Sequence, residues 1–269
     1  MNGKRGTLIL LGGGREPNEI MKSFFNYSNG KNKTILLLTI GNDDEKNEVL
    51  HYKKTFELYG SFDVQHLELT TKEHLNSVKN LESIKKCGGI WFCGGKQITI
   101  VETLKNTKVL EVIQYSFFNL GISIGGTSAG LACQSELMLT GEGKFDRIES
   151  ENVILIGGLN LFKGVILDQH FVERMRFNRL VSVVLENPSF LGIGVSEATA
   201  IIYKDDDTFN VIGTGWVYVI DGSNSEVNKG IDNENHIGGW NLKVHILQKG
   251  DSFDLEKKIP FLINDINVK

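Results

Sequence analysis

The sequence contains few cysteines and no long apolar segment. Its three cysteines, Cys87, Cys93 and Cys133, are odd in number and lack CxxC spacing, so neither a disulfide framework nor a zinc site is expected. No apolar run approaches the length that spans a bilayer, and the run at 8–11 is followed too soon by glycines to form a signal peptide. We therefore expect a protein of the reducing cytoplasm.

The sequence also lacks an extended basic tract. Its 29 Lys and Arg residues are outnumbered by 33 Asp and Glu residues, which gives a net charge of -4. This balance argues against a nucleic-acid or membrane-surface partner. Hydrophobic residues make up 41% of the 269 residues, an ordinary share for a globular protein that buries a sizeable core. No change in composition divides the chain, so residues 1–269 are predicted to form a single domain.

Apolar runs and segments with helical spacing alternate through the first half of the chain. The pattern predicts buried strands at 7–11, 34–40, 89–93 and 120–124, and helices at 18–27, 45–59, 77–87 and 109–119. It is typical of an α/β fold with a mostly parallel sheet. The carboxyl-terminal third is predicted to be rich in strands, with a long loop at 222–239. A charged, glycine-rich loop at 141–152 is predicted to form a lid.

The segment GTSAG at 126–130 follows the apolar run at 120–124. A G-x-S-x-G pattern between a strand and a helix is typical of a nucleophilic serine, here Ser128, displayed on a tight turn. Glycines two positions before and two after it remove side chains that would collide with the neighbouring backbone. The N–H of Ala129 can supply half of an oxyanion hole. From these residues alone, a turn that only redirects the chain or holds a phosphate is an equal alternative.

Two other predicted strands end in glycines. Gly94 and Gly95 follow the strand at 89–93, and in a parallel sheet this edge can lie beside Ser128. Their N–H groups are candidates for the other half of the oxyanion hole, with a simple tight turn as the alternative. The glycines at 12–14 could cradle a phosphate. They do not form G-x-G-x-x-G, however, so nucleotide binding is not favoured.

His170 and Glu197 each follow a predicted strand. His170 stands between a strand at 162–167 and a helix predicted at 173–186, an edge at which catalytic bases are commonly displayed. Glu197 ends the apolar run at 190–195 among small residues. It could orient His170, or it could be a paired structural carboxylate.

Three arginines, Arg174, Arg176 and Arg179, fall in the first turns of the helix predicted after His170. Cations at a helix N-terminus oppose the macrodipole, so helix stability does not account for them. A ligand rich in carboxylates would neutralise their charge. Acidic neighbours such as Asp168 are the alternative.

Three ordered motifs resemble the serine peptidase family that contains cyanophycinase and α-aspartyl dipeptidase. The motifs are GTSAG at 126–130, DQHF at 168–171 with the arginines behind it, and GIGVSEATA at 192–200. Further similarity lies at 92–97 and 244–255, so the resemblance covers most of the chain. It implies that Ser128 is the nucleophile, His170 the general base and Glu197 the residue that orients it.

The family resemblance also implies a fold and a substrate. The fold is a three-layer αβα sandwich with a mostly parallel sheet, like that of class I glutamine amidotransferases, often dimeric and without metal or cofactor. The substrate is a peptide with aspartyl residues, such as the β-Asp-Arg linkage of cyanophycin, hydrolysed through an acyl-enzyme on Ser128. Residues that fall on substrate-site positions of the family are Gln97, Gln169, Arg174, Arg176 and Arg179.

The chain departs from the usual family pattern at positions outside the implied triad. The segment at 14–17 is GREP where an Ala-Glu-Asp-Lys type sequence is usual, and Ser196 stands where Asp is usual. Leu131 and Cys133 interrupt a helix that usually continues with small residues. These departures bear on the substrate. The alternative function is a non-catalytic module on the same scaffold that binds acidic peptides or metabolites.

Overall fold

A computed structural model of the protein describes residues 4–141, 147–229 and 235–262. The helices in these residues are α1 (Asn18–Tyr27), α2 (Glu45–Leu58), α3 (Lys72–Asn76), α4 (Val78–Lys86), α5 (Gln97–Leu104), α6 (Lys108–Leu120), α7 (Ala129–Ala132) and α8 (Phe177–Glu186). The strands are β1 (Leu8–Leu11), β2 (Thr34–Leu38), β3 (Asp63–His66), β4 (Gly89–Phe92), β5 (Ser123–Thr127), β6 (Leu137–Leu139), β7 (Leu155–Gly157), β8 (Val165–Asp168), β9 (Leu191–Val195), β10 (Thr199–Tyr203), β11 (Thr208–Gly213), β12 (Val217–Asp221), β13 (Glu226–Lys229), β14 (Ile237–Trp240), β15 (Lys243–Leu247), β16 (Asp251–Asp254) and β17 (Ile259–Leu262).

A nine-stranded sheet forms the centre of the molecule, with the strand order β17-β16-β11-β10-β1-β5-β4-β2-β3. The run from β1 to β3 is parallel throughout. On the other side of β1, the sheet continues with antiparallel pairs formed by β10, β11, β16 and β17. The carboxyl ends of β1, β4 and β5 therefore meet at one edge, as expected for a site in an α/β sheet.

Helices cover both faces of the parallel core. Side chains alternate along each strand, so Ile9 of β1 packs towards α1 and α2 while Leu8 packs towards the helices from α4 to α7. On the first face Phe24 of α1 lies against Trp91 of β4, with ring centroids 4.9 Å apart. The predicted α/β fold with a three-layer sandwich is confirmed.

A second sheet, with the strand order β15-β12-β9-β8, carries two more residues of the site. Strands β8 and β9 are parallel, so their carboxyl ends also lie at one edge. The loops that follow them are bonded to the segment after β1: the N–H of His170 donates to Gly12 O at 2.7 Å, and the N–H of Ala198 donates to Gly13 O at 3.0 Å. The two sheets thus bring their functional edges together.

The helix predicted at 173–186 begins at Phe177, four residues later than expected. His170 and Met175 have φ angles of 46° and 50°, a left-handed conformation that ends any regular helix. The loop predicted at 222–239 is also wrong in part, because it contains the hairpin strands β13 and β14.

The lid predicted at 141–152 includes residues 142–146, which lie outside the described residues, so it stays a prediction. The single domain predicted for residues 1–269 likewise stays a prediction. Within the described parts of the chain, no helix is long and apolar enough to cross a membrane.

Candidate active site

Ser128 lies on the turn between β5 and the short helix α7. Its φ of 53° and ψ of -114° are strained for a residue with a side chain. A Cβ on Gly126 would lie 2.4 Å from Gly130 O, and a Cβ on Gly130 would lie 2.4 Å from Phe92 O. Glycine is therefore required at both positions, for the steric reason expected from the sequence.

A chain of short hydrogen bonds joins Ser128, His170 and Glu197. The Ser128 Oγ lies 2.9 Å from His170 Nε2, and His170 Nδ1 lies 2.5 Å from Glu197 Oε1. Because a carboxylate can only accept, Nδ1 carries the proton and donates it to Glu197. The lone pair of Nε2 then faces the serine hydroxyl. This arrangement can pass a proton from the hydroxyl to the imidazole.

His170 is buried at the base of the site, with 7% of its surface exposed. Burial lowers the pKa of His170, the hydrogen bond that it donates to Glu197 raises it, and the positive charges of Arg174 and Arg176 lower it further. The net direction is downward, which keeps the imidazole neutral and able to accept a proton near neutral pH.

The glycines at 12–14 lie directly against this base and its partner. A Cβ on Gly13 would lie 2.3 Å from His170 Cε1, and a Cβ on Gly14 would lie 2.4 Å from Glu197 Oε2. The space that a phosphate cradle would need is thus occupied by the imidazole and the carboxylate. Sequence reasoning missed this role, although three successive glycines outside a G-x-G-x-x-G pattern are the signal for such a close approach.

The candidate oxyanion donors lie beside Ser128. A Cβ on Gly94 would contact Thr127 O at 3.3 Å, which places the Gly94 turn against the serine turn. Gly94, Gly95 and Ser128 line one cavity. Among the described residues, the N–H groups of Gly94, Gly95 and Ala129 have no acceptor. The assignment of these N–H groups as an oxyanion hole remains a proposal.

Two buried glutamines stand on the other side of the serine. Gln169 Oε1 lies 3.4 Å from Ser128 Oγ, and Gln169 Nε2 donates to Gln97 Oε1 at 3.4 Å. Gln97 Nε2 in turn donates to Leu139 O at 2.6 Å. The structure therefore brings both predicted substrate-site glutamines close to Ser128.

The three arginines do not share one environment. Arg174 is exposed, and its guanidinium makes no hydrogen bond or ion pair with the described residues. Arg179 is fully buried and Arg176 nearly so, and both are paired with Asp168. Direct substrate contact, predicted for all three, stays a prediction, and the guanidinium groups of Arg179 and Arg176 are engaged by the acidic neighbour Asp168. Arg174 is the one of the three that is open to a ligand.

A cavity of about 680 Å³ opens next to Ser128, on the side of α1 and α2. Its walls include Glu16, held by the Tyr52 hydroxyl and by His51 Nε2 at 2.8 Å. Glu48 lines the same cavity, and burial together with the negative charge of Glu16 raises the pKa of Glu48. Arg15, also in the lining, is the one exposed cation against two carboxylates.

Sequence reasoning missed this acidic wall. The signal was the i, i+3, i+4 spacing of Glu48, His51 and Tyr52 on α2, which places them on one helix face. That face could not be related to Ser128 before the sheet order was known.

Comparisons with known proteins agree with this fold and geometry. The model of the family described as peptidase family S51 matches residues 8–211. The chain belongs to peptidase family S51. A cyanophycinase of Trichormus variabilis is 30% identical over 262 residues, which cover 94% of this chain and 87% of the relative. A cyanophycinase of Geminocystis herdmanii is 28% identical over 261 residues, or 95% and 96% of the two chains.

A solved structure supports the same architecture. The crystal structure of a peptidase from an acI-B1 Actinobacterium has a TM-score of 0.71, covers 95% of this chain and 99% of its own, and is 21% identical. The resemblance found in the motifs is confirmed. As an S51 member, the chain is a serine-type peptidase that acts on peptide substrates.

Proposed function

We propose that this S51 peptidase hydrolyses peptide bonds of aspartyl residues through an acyl-enzyme on Ser128. The observation that carries the proposal is the hydrogen-bonded chain from Ser128 Oγ through His170 to Glu197. The strained turn under Ser128 supports it further, because strain of this kind is maintained where a side chain must be displayed.

The reaction follows from this geometry. Ser128 Oγ attacks the scissile carbonyl carbon while His170 Nε2 takes the hydroxyl proton. When the tetrahedral intermediate collapses, the C–N bond breaks and Nε2 delivers that proton to the leaving amine. Water then attacks the ester carbonyl and loses a proton to His170 Nε2. When the ester C–O bond breaks, Nε2 returns that proton to Ser128 Oγ, and the acid product leaves. Glu197 stabilises the imidazolium at both stages.

The N–H groups of Ala129 and of Gly94 or Gly95 are the proposed donors to the oxyanion. They lie at the serine turn and are free of acceptors among the described residues. Losing one such donor typically costs about 3 to 4 kcal/mol of transition-state stabilisation.

The charged side chains around Ser128 support an aspartyl substrate that also carries a basic residue. Arg174 offers a free guanidinium beside His170, suited to a bidentate contact with a carboxylate. The acidic wall of Glu16 and Glu48 suits a guanidinium or ammonium group on the other side of Ser128. Relatives named cyanophycinase are consistent with this pairing of charges.

A peptide panel tests the proposal. The purified protein is incubated with cyanophycin, β-Asp-Arg, α-Asp-Arg and the isosteric Asn-Arg peptides, and the products are measured by mass spectrometry. We expect at least one aspartyl linkage to be cleaved with a kcat/KM about tenfold or more above that of its Asn counterpart. Equal cleavage of Asp and Asn peptides would remove the aspartyl specificity and leave a serine peptidase of another substrate.

The alternative, a non-catalytic module for acidic peptides or metabolites, gives a different result. Such a module would bind Asp peptides without releasing products. It would also have no need for a serine hydroxyl in contact with a neutral imidazole.

A further inference from the structure

Asp168 is the centre of a buried ion cluster behind the site. It ends β8 with 1% of its surface exposed. Arg179 binds it in bidentate fashion, with Nε donating to Oδ2 at 2.7 Å and Nη2 donating to Oδ1. Arg176 Nη1 lies 3.3 Å from the same Oδ1. One carboxylate thus binds two guanidinium groups.

The same cluster holds the backbone that leads into His170. Arg176 Nη1 donates to Gln169 O at 2.5 Å, and the Gln169 N–H donates to Asp168 Oδ1 at 2.8 Å. The N–H of His170 donates to Gly12 O at 2.7 Å. Both polar groups of the peptide between Gln169 and His170 are therefore fixed, the carbonyl by Arg176 and the N–H by Gly12.

This restraint acts where the backbone is strained. His170 has a φ of 46°, and a residue with a Cβ in the left-handed region costs about 1 to 3 kcal/mol unless its surroundings impose that conformation. The direction of the imidazole, and with it the 2.9 Å contact to Ser128 Oγ, depends on this turn.

We propose that Arg176 and Arg179 are positioning residues: through Asp168 and Gln169 O they hold the His170 turn so that Nε2 faces Ser128. The inference rests on the proposed role of His170 as the base. It differs from the role that the sequence suggested, because neither guanidinium is open to a substrate. Arg179 fixes the position of Asp168, and Arg176 connects Asp168 to the carbonyl of Gln169.

The charge of Arg176 provides a second, separable effect. Burial lowers the pKa of Arg176 to about 10, so the group remains cationic at neutral pH. Its positive charge lowers the pKa of His170, as does that of Arg174. Removing the charge should move the acid limb of the activity profile to higher pH, whereas loss of the hydrogen bond alone should reduce kcat and leave that limb in place.

Two substitutions at one position separate these effects. Arg176→Lys keeps a cation, but its ammonium ends about one bond short of the Nη1 position that binds both Asp168 Oδ1 and Gln169 O, and Arg176→Met removes both the charge and the hydrogen bonds. We expect kcat to fall about tenfold or more in both variants, with KM for an Asp peptide changed by about twofold or less. The acid limb of kcat/KM should shift upward in Arg176→Met and remain near the wild-type position in Arg176→Lys.

Arg174→Met is the matched comparison, because Arg174 is exposed and is proposed to contact the substrate. It should reduce the preference for Asp over Asn peptides, which both Arg176 variants should retain. Folding of each variant is checked by thermal melting. If Arg176→Met does not fold, the kcat of Arg176→Lys alone tests whether Arg176 is a positioning residue.

Two results would overturn the inference. The first is a folded Arg176→Lys with unchanged kcat. The second is an increase in KM confined to Asp peptides, which would make Arg176 a substrate ligand. Failure of the wild type to cleave any peptide would instead reject the proposed function.

Discussion

His170 combines a left-handed backbone with hydrogen bonds at both ring nitrogens. The sequence motifs pointed to this residue, to the proposed nucleophile Ser128 and to its hydrogen-bond partner Glu197 through a family resemblance. The motifs could not predict which arginine side chains are buried, because the helix after His170 starts at Phe177 and not at Glu173. Arg174 and Arg176 therefore precede α8, and only Arg179 lies on it.

The pH dependence of activity follows from the lowered pKa of His170. The neutral imidazole is the active form, and burial stabilises that form, so activity should persist to lower pH than for an unperturbed histidine. We expect the acid limb of kcat/KM to have an apparent pKa below about 6.5, the ordinary value. The profile is measured with an Asp peptide at constant ionic strength. An acid limb above neutral pH would contradict the proposed base.

Glu197→Gln should lower kcat by about 10²-fold or more, because an amide stabilises the imidazolium poorly. The hydrogen bond to Glu197 and the negative charge of Glu197 raise the pKa of His170, so loss of that charge should also move the acid limb to lower pH. KM should change little. Glu173→Gln is the control: it keeps an acceptor for the Glu197 N–H and should change kcat by about threefold or less. An unchanged kcat in Glu197→Gln would make Glu197 a structural residue.

Among the elements, the end of β1 and the segment after it link the three loops of the site. Leu11 O accepts from the Ser128 N–H, Gly12 O from His170 and Gly13 O from Ala198. The strand itself was predictable, because an apolar run followed by glycines is typical of a buried parallel strand. Its contact with β10 and with the second sheet was not, since those pairings join residues far apart in sequence.

Gly13→Ala tests this linking role. A Cβ at Gly13 would overlap the imidazole of His170, so activity should fall about 10²-fold or more through displacement of the base. Gly250→Ala is the matched control: its φ of 95° is close to the 106° of Gly13, but no atom lies within 4 Å of its Cβ. Both variants should lose stability on the order of 1 kcal/mol from backbone strain, and only Gly13→Ala should lose kcat. Equal kcat in the two variants would contradict the contact.

The element that the sequence described least well is the hairpin of β13 and β14. Its strands hold few buried apolar side chains, and Val227 is 39% exposed, so the usual alternation is absent. Polar strands at the surface depend on pairing with each other rather than on a hydrophobic pattern. The helix α3 was missed for a similar reason, since none of its residues is buried.

At the scale of the whole molecule, one apolar cluster contains side chains of both sheets, including Leu8 of β1 and Val219 of β12. This shared core fixes the distance between the serine turn and the loops after β8 and β9. Composition predicted the presence of such a core, while the order of the strands had to come from the structure. The homodimer implied by the family resemblance stays a prediction.

The acidic wall of the cavity should select the charge of the substrate. Glu16→Gln keeps an acceptor for the Tyr52 hydroxyl but removes one negative charge, so KM for Asp-Arg peptides should rise about tenfold. The KM for Asp-Ala peptides should be unaffected. Glu57→Gln, on α2 but outside the cavity, should change neither value. An equal change in KM for both peptides would show that Glu16 does not recognise the positive charge of the substrate.

The proposed acyl-enzyme on Ser128 is tested most directly by locating the reactive serine. The protein is treated with a small neutral fluorophosphonate, digested and mapped by mass spectrometry, and residual peptidase activity is measured in parallel. We predict one phosphonyl group on Ser128, loss of hydrolysis in proportion to labelling, and neither label nor turnover in a folded Ser128→Ala variant. Peptide hydrolysis that persists in the fully labelled enzyme or in Ser128→Ala would contradict the account.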